Sequence, residues 1–491
     1  MRGDPPRRTG SGGPDHADPG PAHTALRTSP HRFVTSPLTV EGSAMSARMS
    51  HARAIALVMG CASLALAVTV PAQAASQKGH QAPGHRGIER AVLPAGDGWA
   101  AADGSTTGGS AATPDHVYTV TNRAELIAAF EDAGDAPKIV RIDGTIHGNA
   151  DAAGNPIDCE DYRTDGYTLD KYLAAYDPQT WGRTLPSGPL EDARAASAAL
   201  QKESVEVEVP SNTTLVGVGD DATVIGASLQ VMDVSNVIVR NITFEDTYDC
   251  FPQWDPTDGE TGAWNSEYDN LVVTGSSHVW VDHNTFSDGD RPDADQPRYY
   301  GELFQQHDGL FDIVRGSDLV TVSWNVLKNH DKTMLIGNSD SAATAAIDRG
   351  KLRVTLHHNL FQDLKERAPR VRFGAVDSYN NHFVATAGAA YGYSYGVGME
   401  SRIVAEHNAF TLASQVDPAT ILKKWKESPI TAGDNYVNGR RTDLIAVHNA
   451  GVPAEQLTPG AGWTPVLRTR IDNPRAVPAV VDHGAGAGKG C

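Results

Sequence analysis

Cysteine is scarce in this chain. Four stand in 491 residues, at 61, 159, 250 and 491, and none of those spacings resembles a zinc site. Basic residues are in the minority, 41 Lys and Arg against 60 Asp and Glu, for a formal charge of −19. Nucleic acid and anionic membrane surfaces both require a broad basic footprint, so neither is expected as a partner. Hairpin signals such as Asn-Gly between adjacent strands are also scarce, which argues against a β-sandwich. No EF-hand loop is present, because the acidic stretch DGDRPDADQ lacks the loop's glycine and its terminal Glu. Only one apolar run invites a membrane reading, AIALVMGCASLALAVTV at 54–70.

That run follows Arg48 and Arg53 and leads into PAQAA, an A-x-A site with cleavage after Ala74. It is short for a membrane span, and nothing apolar of that length follows. Residues 45–74 therefore read as a signal peptide starting at Met45 or Met49, and residues 1–44 as disordered or upstream of the true start. The expected location is secreted, extracellular. Cleavage leaves 34 basic against 56 acidic residues, a charge of −22. It also removes Cys61, and export favours pairing of two of the remaining three cysteines. Cys159 with Cys250 is the expected pair, because Cys491 ends a Gly-rich tail. The rest divides into a linker (75–92), a single domain (93–475) and a flexible tail (476–491), expected to act as a monomer. Helices are expected at 121–134, in LDKYLAAY and in GPLEDARAASAALQKES, with a strand at 139–146.

From about residue 205 a pattern recurs: NVIVRNITF, HVWVDHNTF, LVTVSWNVL, RVTLHHNLF, AVDSYNNHF and RIVAEHNAF. Each is read as a short alternating strand followed by Asn241, Asn284, Asn325, Asn359, Asn381 or Asn408, one residue, then an aromatic residue or Leu. The strand cores repeat while the distances between them vary, which excludes a propeller or a solenoid of equal units. The expected fold class is all-β, a right-handed parallel β-helix with short helices and long loops. Stacked coils bury a continuous interior, and each Asn sits at a bend where it tolerates left-handed backbone and bonds to the next coil's Asn.

One further stretch stands against the acidic background. LKERAPRVRFG (364–374) carries Lys365, Arg367, Arg370 and Arg372, and the guanidinium fork suits carboxylate or phosphate. Together with FPQWDPTDGETGAWNSEYDNL, HVWVDHNTFSDG, QQHDGLFDIVRGSDLVTVSWN and NHDKTMLIGNSD, this string resembles the pectate lyase family of polysaccharide lyases. The motifs keep the family's order from about 93 to 415. The resemblance implies β-elimination on polygalacturonate (pectate), with loss of the C5 proton and departure of the C4 oxygen to give a 4,5-unsaturated end. It implies Ca2+ held by Asp269, Asp308 and Asp312, with Glu267 a weaker fourth. It implies Arg367 as the catalytic base, and Lys332 and Arg372 as binders of substrate carboxylates.

Residue chemistry agrees with those roles. Oxygen-only ligands suit Ca2+, and cations at the uronate carboxylate stabilise the charge that builds when C5 is deprotonated. In a straight strand Asp308 and Asp312 would stand about 13 Å apart, so the chain must bend, as Gly309 permits. If VRF is a strand, Arg370 and Arg372 face one way and Val371 and Phe373 the other. Arg370 either supports the site or pairs with an acid. Trp280, Asp282, His283, His330, His357 and His358 are read as structural, and YGYSYGVG (391–398) as either a sugar-lining loop or packing over a helix end. Three rivals remain: a pectin lyase working without calcium, a hydrolase of the same polymer using paired carboxylates, and a non-catalytic pectate binder.

Overall fold

The computed structural model describes residues 87–151, 153–164 and 166–489. The 1–44 and 45–74 assignments, the linker as far as residue 86, and Cys491 lie outside the described residues.

Each coil contributes three short strands. One coil runs Ser228–Met232, Ser235–Arg240, Thr243–Glu245, and the next runs Leu271–Thr274, Ser277–Asp282, Thr285–Ser287. Strands of like position pair in parallel from coil to coil. They build a first sheet of eight strands, from Glu206–Glu208 to Leu422–Lys424, and a second of ten, from Val117–Val120 to Ile430–Thr431. A third sheet, also of ten, runs from Thr145–His147 to Arg440–Thr442. This is a parallel β-helix. Its last pairing is antiparallel, and there the chain's Asn438-Gly439 turns with φ of 48° and 75°, as a two-residue hairpin requires.

The interior is built from inward columns. Val231, Val273, Ile313, Ile336, Val371 and Val397 of the first sheet are all fully buried. In the third sheet Phe361, Phe383 and Phe410 stack at 4.8 and 4.6 Å between ring centres, an arrangement that adds about 0.5–1.5 kcal/mol per pair beyond area burial. Between the second and third sheets lies the asparagine corner. The backbone N–H and the side-chain amide of Asn325 both donate to Asn359 Oδ1 at 2.9 and 3.1 Å. The same double bond links 284 to 325, 359 to 381, 381 to 408 and 408 to Asn435.

Two expectations about this corner need correction. The left-handed residue is the one before the ladder Asn, namely His283, Trp324, His358, Asn380, His407 and Asp434. Asn241 is itself left-handed (φ 59°) and aligns with His283, while Ile242 takes the ladder place and donates its N–H to Asn284. The stretch at 139–146 is two strands, Lys138–Ile142 and Thr145–His147, with a corner at Gly144 (φ 78°).

Helix Arg123–Ala133 is capped by Asn122, and Leu126 and Phe130 join the interior at its first coils. Both expected later helices form, as Leu169–Ala175 and Pro189–Val205. They belong to an excursion that builds a second aromatic core from Tyr172, Phe251, Trp254 and Trp264, beside the disulfide between Cys159 and Cys250.

The ends are more ordered than composition suggests. Val477–Gly484 is a helix, not a flexible tail: Val477, Val481 and Ala485 form one stripe against Ala409, Val326 and Leu360 on the outside of the third sheet. Within the supposed linker Glu89 pairs with Arg141, and the Ile88 carbonyl accepts from Arg240. An i, i+4 apolar stripe three residues long is hidden when the flanking sequence is rich in glycine.

Candidate active site

The third corner, where each third-sheet strand passes to the first sheet of the next coil, carries the long insertions at 148–205, 246–270 and 288–310. It also gathers the charged residues. Asp269 precedes Leu271–Thr274 and Asp308 precedes Phe311–Val314. Lys332 ends Val326–Lys332, and Arg367 follows Leu360–Glu366. Parallel stacking brings residues 24 to 98 positions apart in sequence to one place. The coils are stitched there by Leu310 N–H to Thr333 O and Met334 N–H to Arg367 O, at 3.1 and 2.7 Å. Asp312 and Arg370 stand on the outward face of the first sheet beside this corner, and Arg372 follows directly.

The three carboxylates are buried, at 5, 4 and 6% exposure for Asp269, Asp308 and Asp312. Burying one unpaired carboxylate is costly, and burying three together is more so. Burial, and then the charges of Asp312 and Asp308, push the Asp269 carboxyl well above its ordinary range, although Gly309 N–H donates to it at 2.7 Å. Asp312 is pushed up to about 7 by burial and by Asp308, against a 2.7 Å bond from Leu335 N–H and the attraction of Arg367 and Arg372.

Gly309 explains how the group packs. The bend from Asp308 to Asp312 does not use left-handed backbone at this glycine. A Cβ at 309 would stand 2.6 Å from Asp269 Oδ1 and 3.1 Å from Asp312 Oδ1. The missing side chain lets the two carboxylates close in on the Gly309 backbone, and hard oxygen donors gathered at one place suit a Ca2+ ion. Among the described residues no three acidic, imidazole or thiol groups are already placed to hold a metal ion, and Asp308 leans to Lys332 Nζ at 3.1 Å. Glu267 stands apart, paired with Lys202 at 2.7 Å.

The cations face these acids. Burial would lower the Lys332 ammonium, but Asp308 reverses this and holds it above its ordinary value, against repulsion from Arg367. Arg367 is 7% exposed and in left-handed backbone (φ 59°), a strained state for a long side chain, costing roughly 1–3 kcal/mol. Its Nε lies 3.1 Å from Glu366 Oε1. Arg372 donates to Asp340 at 2.8 Å and to Gly337 O at 2.9 Å. Burial, Arg370 and Arg367 pull it down to about 10. Val371 and Phe373 enter the core, and Arg370 and Arg372 turn away from it, as the alternation predicts.

Arg370 lies with its guanidinium carbon 4.0 Å from the ring centre of Trp425. The YGYSYGVG stretch is chiefly packing, though not over a helix end: Tyr395 is in the core and Tyr393 stands edge-on to Trp425. Asp282 is buried with Arg240, Ser323 and His283 on the second sheet, away from this corner. His330, set aside as structural, does touch the site. Its two nitrogens lie 2.6 Å from Asp288 and 2.8 Å from the Asp308 carbonyl, which fixes the backbone behind that carboxylate. Asp340 and Glu366, which orient two of the arginines, were also missed. Their signal was available as the acids adjoining the cations in IGNSD and ERAPR.

Comparison with known proteins gives the family. A family model described as pectate lyase matches residues 87–165 and 188–456. Pectate lyase of Bacillus subtilis (strain 168) is 43% identical over 88% of this chain and 99% of its own length. Pectate lyase A of Dickeya chrysanthemi is 38% identical over 71% of this chain and 78% of its own. Among solved structures, a pectate lyase bound to hexasaccharide superimposes with a TM-score of 0.77 at 42% identity, covering 82% of this chain and 99% of that one. The chain belongs to the pectate lyase family of polysaccharide lyases.

Proposed function

We propose that the protein is a secreted enzyme that cleaves α-1,4-polygalacturonate by Ca2+-assisted β-elimination, acting as a monomer, with Arg367 as the base. The observation that carries this reading is the convergence of Asp269 and Asp312 on Gly309, with Asp308, Lys332, Arg367 and Arg372 beside them. A relative of 41% identity and TM-score 0.77 has a structure described in terms of an anti β-elimination mechanism.

Asp269, Asp308 and Asp312 would hold the ion. A bound Ca2+ supplies positive charge at the uronate carboxylate, where negative charge builds as C5 loses its proton. Lys332 and Arg372 engage neighbouring carboxylates and fix the sugar against Arg367. Arg367 takes the C5 proton, and the electron pair left at C5 forms the C4–C5 double bond as the C4 oxygen departs. A guanidinium base must be neutral to accept a proton, and repulsion from Lys332 and Arg372 favours that form. Arg372 is lowered first by burial and then by the charges of Arg370 and Arg367, and the same crowding of cations around Arg367 calls for an alkaline optimum. Export is supported by the disulfide between Cys159 and Cys250, a bond of oxidising compartments.

The test is ultraviolet absorbance of unsaturated product from polygalacturonate at alkaline pH, with Ca2+ or chelator, on the protein and on Arg367→Ala. Absorbance that requires Ca2+ and is lost in the variant is expected. New reducing ends without absorbance would indicate hydrolysis instead, and neither signal would leave a pectate binder.

A further inference from the structure

The outward column of the first sheet runs past the active site in both directions, and its chemistry is not symmetric. Toward the earlier coils Asp312 is followed by Val272, Gln230 and Glu208. That end opens on a groove of about 790 Å3 whose rim includes Glu131, Glu203, Glu206 and Glu208, a setting that repels a polyanion. Toward the later coils the column passes Leu335, Arg370, Gly396 and Lys423. Four strand spacings separate Asp312 from Lys423, about 19 Å, the length of several sugar residues.

The later end is built around one indole. Leu422–Lys424 leads into Trp425 and Lys426, so three lysines stand within four positions. Trp425 N–H donates to Val397 O at 2.9 Å, which pins the segment over the first sheet. Arg370 lies 4.0 Å under the ring and Lys423 Nζ is 5.6 Å from its centre. Gly396 makes the stack possible, since a Cβ there would stand 2.9 Å from both the Arg370 and the Tyr393 side chains. Trp425 stays partly exposed. The lysines each have one acidic partner, Glu455, Glu427 and Asp340, at 2.7, 2.5 and 3.5 Å. Surface pairs of that kind are weak enough for a polyanion to replace.

We propose that Trp425, with Lys423 and Lys426, is a remote subsite for uronate residues of the chain being cleaved. It extends the bound polymer from the catalytic corner toward the C-terminal coils. An aromatic face beside cations is how proteins hold flexible polyanions without reading their sequence. This rests on the polygalacturonate reading and adds a direction and a length to it.

The experiment compares kcat/KM for hexagalacturonate and trigalacturonate, by unsaturated-product absorbance, in the full protein and in Trp425→Ala and Trp425→Phe. The hexamer-to-trimer ratio should fall roughly tenfold in Trp425→Ala, chiefly through KM, the size of effect one stacked ring supplies. Trp425→Phe should restore most of it. An unchanged ratio overturns the subsite, and so does an equal loss on both substrates, which would make Trp425 a packing residue. If the unaltered protein releases no unsaturated product from either substrate, the lyase reading fails instead. Calorimetric titration with hexagalacturonate then decides the subsite alone: weaker binding by Trp425→Ala sustains it, and equal binding removes it.

Discussion

Removal of calcium should make stability depend on pH in a direction set by the buried acids. The perturbation is a chelator, with Asp312→Asn as control. Asp312 sits at about 7 in the folded protein, against roughly 4 for a carboxyl in an unfolded chain. Between those values the folded state binds more protons than the unfolded one, so its stability is full at low pH and is lost as pH rises through 7. From pH 5 to pH 8 the loss from Asp312 is on the order of 3 kcal/mol. Asp269, raised in the same direction, adds to it. A bound cation abolishes the loss, because ionised carboxylates are then what the site requires. Other buried groups titrate in this window too, among them Asp249, pushed up to about 7 by burial. The quantity to measure is therefore the gap between urea unfolding free energies with excess Ca2+ and with chelator, at each unit from pH 5 to 8. That gap should widen as pH rises, and Asp312→Asn should shrink the widening. A gap independent of pH, or one that Asp312→Asn leaves alone, would mean that these carboxylates do not share an ion.

Two further outcomes follow from single contacts. Gly309→Ala places a methyl 2.6 Å from Asp269 Oδ1, so calorimetric Ca2+ affinity should fall about tenfold or more while the fold persists, a loss near the overpacking range of 1–3 kcal/mol; unchanged affinity would sink the shared-space reading. Asn359→Ala removes acceptors for the Asn325 N–H and amide and a donor to Val322 O. Leaving these buried groups unpaired should cost about 3–5 kcal/mol in urea unfolding, and a loss under 1 kcal/mol would show that the ladder is ornamental.

The fold was legible because one geometric demand repeats. From Asn284 to Asn435 each coil turns from its second to its third strand at a left-handed residue followed by Asn, and inward positions in successive coils carry Val, Ile, Leu or Phe. Irregular spacing hid the repeat from any fixed period, but not from alignment of the strand cores. What could not be read was register at the margin. Asn241 looks like a ladder member by composition, yet belongs to the left-handed position one residue earlier, a slip marked by the two residues, not one, between Asn241 and Phe244 and seen in the pairing of Phe244 with Phe286. The tail helix was missed for a related reason. Its buried stripe of Val477, Val481 and Ala485 makes sense only against Ala409, Val326 and Leu360, which lie far away in sequence.

The proposed active corner shows why motifs point to a site better than local patterning does. Asp269, Asp308, Lys332 and Arg367 share no helix face and no strand alternation. They meet because each ends or precedes a strand at the same corner of successive coils. A local pattern can report a bend at Gly309, and it then suggests conformational freedom as the reason for glycine. The structure gives another reason, that Asp269 and Asp312 crowd the place a Cβ would take. The same holds for Gly396, whose absent side chain admits Arg370 and Tyr393 beneath Trp425. In a β-helix, glycines at such places mark what two neighbouring coils press into one space. Both glycines stand in the coils where charge is buried, the first beside the carboxylates and the second beside the cations. The path between them is the one along which an acidic polymer would be attracted.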